Sequence, residues 1–347
     1  MLDPRRPRRG ASINDVARLA GVSGQTVSRV AHGSTSVRPE TRAKVLAAME
    51  RLGYAPNHAA RALRAGEFGT IGLLAHRFER TGEALTTEGV IGAAAAQNVG
   101  VTVVDVRRDE VDDWQSAASR LTHQAIDGLV VIRAEQATPE ELALPADLPV
   151  VVSDSRFAGR YPAVVADQAQ GTREAVQHLL DLGHRTVHHV AGPADSEPAA
   201  VRLDTWRRML EEAGRRVPEP WRGDWTARTG YGLGHEIAAD PSVTAVFCAN
   251  DETALGLLRA LHEAGRRVPE DVSVVGFDGI ALGEFTYPPL TTVSQDFHAI
   301  GRELVRLLLD RVRATGADEP QRVVVPTELV VRRTTGPAAE NHNADPA

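Results

Sequence analysis

Gln25 and Arg29 stand four positions apart in the segment GQTVSRVA (24–31), placing an amide and a guanidinium one helical turn from each other. An amide presents a donor beside an acceptor and matches the N6/N7 edge of adenine, while a guanidinium fork matches O6/N7 of guanine. On a helix, that pair suits the reading of bases in a major groove. Further along, polar side chains follow apolar runs directly: His76 after TIGLLA (70–75), Asp154 after VVVS (150–153), Asn250 and Asp251 after AVFCA (245–249), and Asp278 after SVVGF (273–277). Polar groups at the carboxyl ends of parallel strands face the crevice in which open α/β sheets hold ligands. The same residue types also cap a following helix or turn, so both roles remain open at each position. No Gly-rich phosphate loop, nucleophile elbow, His/Cys cluster with zinc spacing or spaced acid/base carboxylate pair is present. Catalysis, a cofactor and a metal are therefore not expected.

The elements that would position Gln25 and Arg29 lie between residues 12 and 66. Residues 1–11, rich in Arg, Pro and Gly, have no apolar period and read as a flexible basic tail. Ser12 with Asp15 resembles a capping box, and Val16, Leu19 and Ala20 supply one apolar face, which predicts a helix over 13–20 ended by Gly21. Ser23 is placed to cap a second helix over 24–31, with Val27 and Val30 turned inward. A third runs from Pro39 to Leu52 and buries Val45, Leu46, Met49 and Leu52. Asn57 can cap the Ala-rich stretch 58–65, which is too short to persist as a free helix and forms conditionally. Charge separates this head from the rest. Residues 1–66 hold eleven Arg and one Lys against two Asp and two Glu, a net +8, which leaves −15 on the remainder of a chain whose total is −7. A basic head on an acidic body suits a polyanion at one end, although a solvated basic tail has the same composition.

After Phe68, strands alternate with helices. TIGLLA, VTVVDV (101–106), GLVVI (128–132) and VVVS interleave with helical patterns over 84–98 and 113–124. A second series follows: helices over 168–182, 199–213, 229–238 and 252–263, with strands TVHHVA (186–191), AVFCA and SVVGF. The stretch 290–292, a helix over 297–314 and a strand over 322–331 close the body. Continuous Val/Ile/Leu strands between helices indicate parallel sheets covered on both faces, here in two tandem α/β halves. A single cysteine, Cys248, no apolar segment behind the basic N-terminus and no stretch long enough to span a bilayer predict a cytoplasmic protein.

The runs INDVARLAGVSGQTVSRVAHG, VRPETRAKVLAAMERLGYAPN and HAARALRAG resemble, in order and spacing, the headpiece and hinge of the lactose repressor (LacI/GalR) family. CANDETALGLLRALHEAGRRVPEDVSVVGFDGI followed by PPLTTVSQDF is similar to the second lobe of that family's lactose type. The resemblance implies an α/β fold: a helix-turn-helix headpiece (12–56), a hinge helix (57–66) and a bilobal periplasmic-binding-protein-like core (67–335) of two doubly wound parallel-sheet lobes, with a disordered tail (336–347). Lobe 1 is expected over about 70–166 and 293–321, and lobe 2 over about 167–292 and 322–335, the chain crossing between them three times. It further implies a DNA-facing set of Ser12, Ser23, Gly24, Gln25, Thr26, Ser28, Arg29 and His32. Asn57, Ala60 and Leu63 join it from the hinge, with Leu63 wedged between base steps in the minor groove. The effector set it implies is His76, Asp154, Arg202, Trp225, Asn250, Asp278 and Gln295. Departures are visible as well. Gly24 and Asn14 stand where the lactose type has Tyr, and Arg38 where it has a capping Ser. His76 and Ile132 do not match the small polar and amide residues of its first-lobe contacts, and the nearby Arg77, Arg80 and Arg133 add charge that a neutral disaccharide would not need.

The expectation is a homodimeric repressor of sugar-utilisation genes, bound to double-stranded operator DNA and released by a galactoside-like sugar or glycoside held between the lobes. No membrane association is expected. The C-terminus lacks the leucine heptads that would join dimers into tetramers. Two alternatives stand beside this reading. One is a corepressor-dependent regulator of the same family. The other is a solute-binding protein for sugar uptake, which would need an export signal and no headpiece.

Overall fold

Ser12 opens the first helix with a reciprocal cap. Its Oγ accepts from the Asp15 N–H at 3.3 Å, while Asp15 Oδ2 accepts from the Ser12 N–H at 2.9 Å, giving α1 (Ile13–Ala20) a complete capping box. Gly21 ends α1 in the left-handed region (φ 67°), where a side chain would be strained. Ser23 Oγ accepts from the Thr26 N–H at 3.2 Å and so caps α2 (Gly24–Ala31). α3 (Pro39–Leu52) begins on a proline, whose missing N–H is no loss at that position. These elements come from a computed structural model that describes residues 11–31, 34, 36–54, 68–75, 78, 80–106, 111–122, 125–132, 144–153, 157–314 and 321–338. The chain divides into two units, Met1–Phe68 and Gly69–Ala347. In the first, Val16, Val27, Val30, Val45, Ala48 and Met49 form the core. Leu19 and Leu46, expected inside, are exposed. Leu46 follows the fully buried Val45, so the helix turns its side chain about 100° away from the core.

The second unit holds two sheets. In the first lobe β1 (Thr70–Ala75), α4 (Thr81–Ala96), β2 (Gly100–Asp105), α5 (Val111–Thr122), β3 (Gly128–Ile132), β4 (Val150–Ser153) and β5 (Ala163–Ala166) follow one another. The chain then crosses to the second lobe: α6 (Gln168–Asp181), β6 (His188–Ala191), α7 (Glu197–Glu212), β7 (Trp221–Arg222), α8 (Ala227–Ala239), β8 (Ala245–Cys248), α9 (Asp251–Glu263), β9 (Ser273–Asp278) and β10 (Thr291–Gln295). α10 (Phe297–Arg313) returns to the first lobe, where Ile300, Leu304, Val305 and Leu308 pack among Ile71, Leu73, Val90 and Val130. β11 (Arg322–Val325) and β12 (Thr327–Val330) finish the fold. The sheet orders are β11-β5-β4-β3-β1-β2 and β12-β10-β9-β8-β6-β7. All pairings are parallel except β10 with β12. The strands of β1, β3, β4, β8 and β9 are almost wholly buried, as their unbroken apolar runs require.

Several helix and strand ends differ from the sequence reading by one to three residues, α4 for instance starting at Thr81 instead of 84, and other differences bear on the topology. The strand expected over 322–331 is two strands in two different sheets. Pro326 has no N–H to continue a ladder, and the chain changes lobe there: Val325 pairs with Ala166, and Thr327 pairs with Gln295. The segment 322–325 therefore belongs with the first lobe. β10 runs to Gln295 in the second sheet, which moves the crossover from 293 to after 295. β5, four residues long, has no helical or strand period of its own and adds a strand beyond those expected. Among the described residues, no helix is long and apolar enough to cross a membrane, and no group of three or more His, Cys, Asp or Glu is placed to hold a metal ion.

Candidate functional site

The first unit turns a polar face of α2 outward. Val27 and Val30 face the core, and rotation along the helix leaves Gln25 and Arg29 exposed, with Thr26 and Ser28 half-buried. Ser12 and Ser23 serve as caps, and the Ser23 and Thr26 hydroxyls lie 3.0 Å apart in a mutual hydrogen bond. A Cβ built on Gly24 would meet only Asn14 Oδ1, at 3.6 Å, so this position has room for a side chain and the sequence simply omits one. Six site residues expected from the sequence, His32, Asn57, Ala60, Leu63, His76 and Asp154, lie outside the described residues.

In the second unit, Arg202, Trp225, Asn250, Asp278 and Gln295 converge at the carboxyl ends of the second sheet. Arg202, on α7, is 1% exposed. Its Nε donates to Gln168 Oε1 at 2.8 Å, its Nη1 donates to the Ala249 carbonyl, and its Nη2 lies 3.6 Å from Asp278 Oδ1. The guanidinium stacks over Phe277, 3.7 Å from the ring centroid, with Trp225 on another side at 5.5 Å. Gln295 Nε2 donates to Asp278 Oδ1 at 2.6 Å, and Gln168 Nε2 donates to Gln295 Oε1 at 3.1 Å. Arg202, Asp278, Gln295 and Gln168 thus close a ring of four buried polar side chains. Gln168 is the first residue of α6, just after one lobe crossover, and Gln295 is the last of β10, just before another. Gln295 holds Asp278 from behind.

A cavity of about 320 Å³ opens in front of this ring. The first lobe contributes Arg80, Thr81 and Gly82, and the second contributes Arg202, Asp224, Trp225, Thr226, Ala227, Asn250, Glu252 and Asp278. Trp225 sits at positive φ (73°) against Gly192 and Ala199, and its buried indole N–H has no hydrogen-bond partner among the described residues. Asn250 caps α9 by accepting the Thr253 N–H at 3.1 Å, and its Nδ2 donates to the Trp225 carbonyl at 3.0 Å and to Glu252 Oε2 at 2.8 Å. The cap role and the site role coincide there. Across the cleft, Thr81 Oγ1 donates to Glu252 Oε1 at 2.5 Å.

Behind the cavity, Asp251 is fully buried. Its Oδ2 accepts from the Ile280 N–H at 2.8 Å and its Oδ1 from the Thr292 hydroxyl at 2.5 Å. Burial, helped by the negative charge of Asp278, pushes its carboxyl up to about 8. His189 behaves in the opposite sense. Its ring stacks on Phe247, 4.8 Å between centroids, its Nδ1 meets the Phe247 carbonyl at 2.8 Å, and burial pulls it down to about 3. A buried neutral imidazole stabilises the fold above the ordinary histidine pKa, and that stability is lost as pH falls from about 6.5 toward about 3. A carboxyl with a raised pKa stabilises at low pH, and that contribution is lost as pH rises through about 8. Melting temperature measured across this range by differential scanning fluorimetry should therefore peak between the two limbs. His189→Phe should flatten the acid limb and Asp251→Asn the alkaline one; limbs unchanged in both variants would remove these two groups as their cause.

The two halves of the chain have counterparts among known proteins. Residues 12–57 match the family described as bacterial regulatory proteins, lacI family, and residues 176–335 match the periplasmic binding protein-like domain. The HTH-type transcriptional regulator CelR of Thermobifida fusca is 35% identical over 346 residues, covering 94% of this chain and 99% of its own. The chain belongs to the LacI family of bacterial regulatory proteins. Two solved structures share its fold along nearly the whole length. The Lac repressor dimer bound to operator and the anti-inducer ONPF has a TM-score of 0.85 at 31% identity, covering 94% of this chain and 100% of that one. The CelR–cellobiose complex has a TM-score of 0.70 at 32% identity, covering 93% and 99%. This LacI-family chain is a DNA-binding transcriptional repressor, and regulators of its kind are not enzymes. Arg80, noted in the sequence as an added first-lobe charge, lines the cavity, whereas three residues that shape the cavity or ring, Thr81, Gln168 and Glu252, carry no signal in the sequence read alone. Gln168 and Glu252 sit in the first turns of helices, where polar residues are ordinary, and only the approach of the lobes joins Thr81 to Glu252.

Proposed function

We propose that this repressor is a homodimer that holds a near-palindromic operator through α2 of each headpiece and lets go when a sugar or glycoside, galactoside-like in its contacts with the second lobe, binds between the lobes. The observation that supports this most directly is the Arg202–Asp278–Gln295–Gln168 ring facing a 320 Å³ cavity beside Trp225 and Asn250. Carboxylate, guanidinium and amide groups offer paired acceptors and donors to vicinal hydroxyls, and an indole offers an apolar face to a sugar ring. The solved complex of CelR with cellobiose makes that sugar a natural first probe, with lactose beside it. On the DNA side, Gln25 and Arg29 read base edges, Leu63 wedges a base step from the hinge, and Gly24 leaves one expected contact unmade. A sugar that prefers the released form about 100-fold supplies roughly 2.7 kcal/mol toward release.

Fluorescence anisotropy on an operator fragment selected by the protein from random sequence tests the reading. Two chains should bind each duplex, and the sugar should weaken binding. Arg29→Ala should cost about 1–3 kcal/mol on the operator and less on unrelated DNA. Tighter operator binding on adding the sugar would turn the reading into the corepressor type.

A further inference from the structure

Among the described residues of the cavity wall, Glu252 is the one carboxylate that belongs to neither a buried ion pair nor a local turn. Arg202 is matched by Asp278 at 3.6 Å, and Arg80 by the fully buried Glu83 at 3.5 Å. Asp224 accepts from both the backbone N–H and the hydroxyl of Thr226, at 3.0 and 2.7 Å. Glu252 instead holds two neutral donors, the Asn250 amide and the Thr81 hydroxyl, and the second comes from the opposite lobe. Its surroundings explain why a carboxylate is stable there. Glu252 lies in the first turn of α9, and Thr81 is the first residue of α4, so the carboxylate lies close to the positive ends of two helices. Those helix ends would otherwise favour an anion in the cavity; with Glu252 in place, that demand is met by the protein itself.

We propose that Glu252 selects the charge of the effector: it accepts a hydroxyl of a neutral sugar in the place that Thr81 occupies, and it rejects the phosphorylated or carboxylated form of the same sugar. This rests on the proposed sugar response and narrows it to a substrate class. A second anion within about 5 Å of a carboxylate in a cleft of intermediate dielectric is opposed by roughly 100-fold in affinity, reduced to about 10-fold or more where solvent and salt reach the pair. Because the donor on Glu252 comes from the first lobe, a sugar hydroxyl taking that place also loosens a contact between the lobes.

The test uses the full-length protein and measures affinity by titration calorimetry for cellobiose, lactose and their 6′-phosphates, with wild type, Glu252→Gln and Thr81→Val. Wild type should bind a neutral disaccharide and bind its phosphate at least about 10-fold more weakly. Glu252→Gln should weaken the neutral sugar and bring the ratio of the two affinities close to one. Thr81→Val removes only the competing donor, so it should keep the ratio and bind the neutral sugar as tightly as wild type or more so. A phosphate bound by wild type as tightly as the neutral sugar, or a ratio unchanged in Glu252→Gln, would overturn the assignment while leaving the sugar response intact. Failure of every neutral sugar to bind would remove the sugar reading and this inference with it.

Discussion

Arg202→Ala is expected to destabilise the second unit by about 3–5 kcal/mol, the usual cost of removing one partner of a buried ion pair. Several losses coincide. Asp278, 8% exposed, loses the guanidinium beside it while its charge stays buried, and it keeps the amide donor of Gln295. Gln168 Oε1 and the Ala249 carbonyl each lose a donor, and the Phe277 ring loses the cation stacked on it at 3.7 Å. For a unit of this size, the melting temperature should fall by on the order of 10 °C, which differential scanning calorimetry would show. Loss of the proposed sugar response in this variant would therefore say little about contact with an effector, because the wall of the cavity is lost as well. Arg202→Lys separates the two roles. It keeps a cation near Asp278 and cannot bridge Gln168, Ala249 and the cavity together. A smaller fall in melting temperature with the same loss of response would place Arg202 in contact with the effector. A variant Arg202→Ala as stable as wild type would show that the four-membered ring is not a structural unit.

Gly256→Ala is the second large effect, expected to cost about 3 kcal/mol, at the upper end of ordinary overpacking. α8 and α9 meet backbone to backbone through two glycines. A Cβ on Gly256 would stand 1.9 Å from the Ala227 carbonyl oxygen and 2.6 Å from the Tyr231 nitrogen, and one on Gly230 would stand 2.1 Å from the Thr253 carbonyl oxygen. Backbone cannot swing aside as a side chain does, so the helices must separate. Alanine's better helix propensity returns only about 1 kcal/mol. The separation also reaches the cavity, because Trp225 and Thr226 lead into α8, while Asn250 and Glu252 sit at the start of α9. Gly232→Ala on the same α8, where nothing lies within 4 Å, provides the control and should be neutral or stabilise by about 0.5–1 kcal/mol. Equal melting temperatures for the two variants would mean that the close approach does not constrain the fold.

The outward position of Gln25 and Arg29 was legible in the sequence because a helix of known period carries each side chain to a known face, and Val27 and Val30 identify the inner one. The ends of the strands could be assigned a ligand-facing role for a similar reason. Asn250 and Asp278 were found that way, and both line the cavity. Neighbouring Asp251 has the same sequence signature but lies behind the wall, held by Ile280 and Thr292. One residue along a helix start changes direction by about 100°, and the strand-end rule does not resolve that step.

From its sequence alone this protein had its three N-terminal helices, its core helices to within a few residues, its alternation of strand and helix, the division into a basic head and an acidic body, and the residue types that suit DNA bases and hydroxyls. These depend on local periods, caps and charge, which are written within a few residues of one another. The tertiary structure decided what depends on distant segments meeting. Pro326 divides one apolar run between two sheets because strands from different lobes are waiting on either side of it. Gln168 reaches Gln295, 127 residues further along the chain, and joins it to Arg202 because two crossovers lie side by side. Thr81 reaches Glu252 only because two helix starts from different lobes face the same cavity, and no period in the chain encodes that approach.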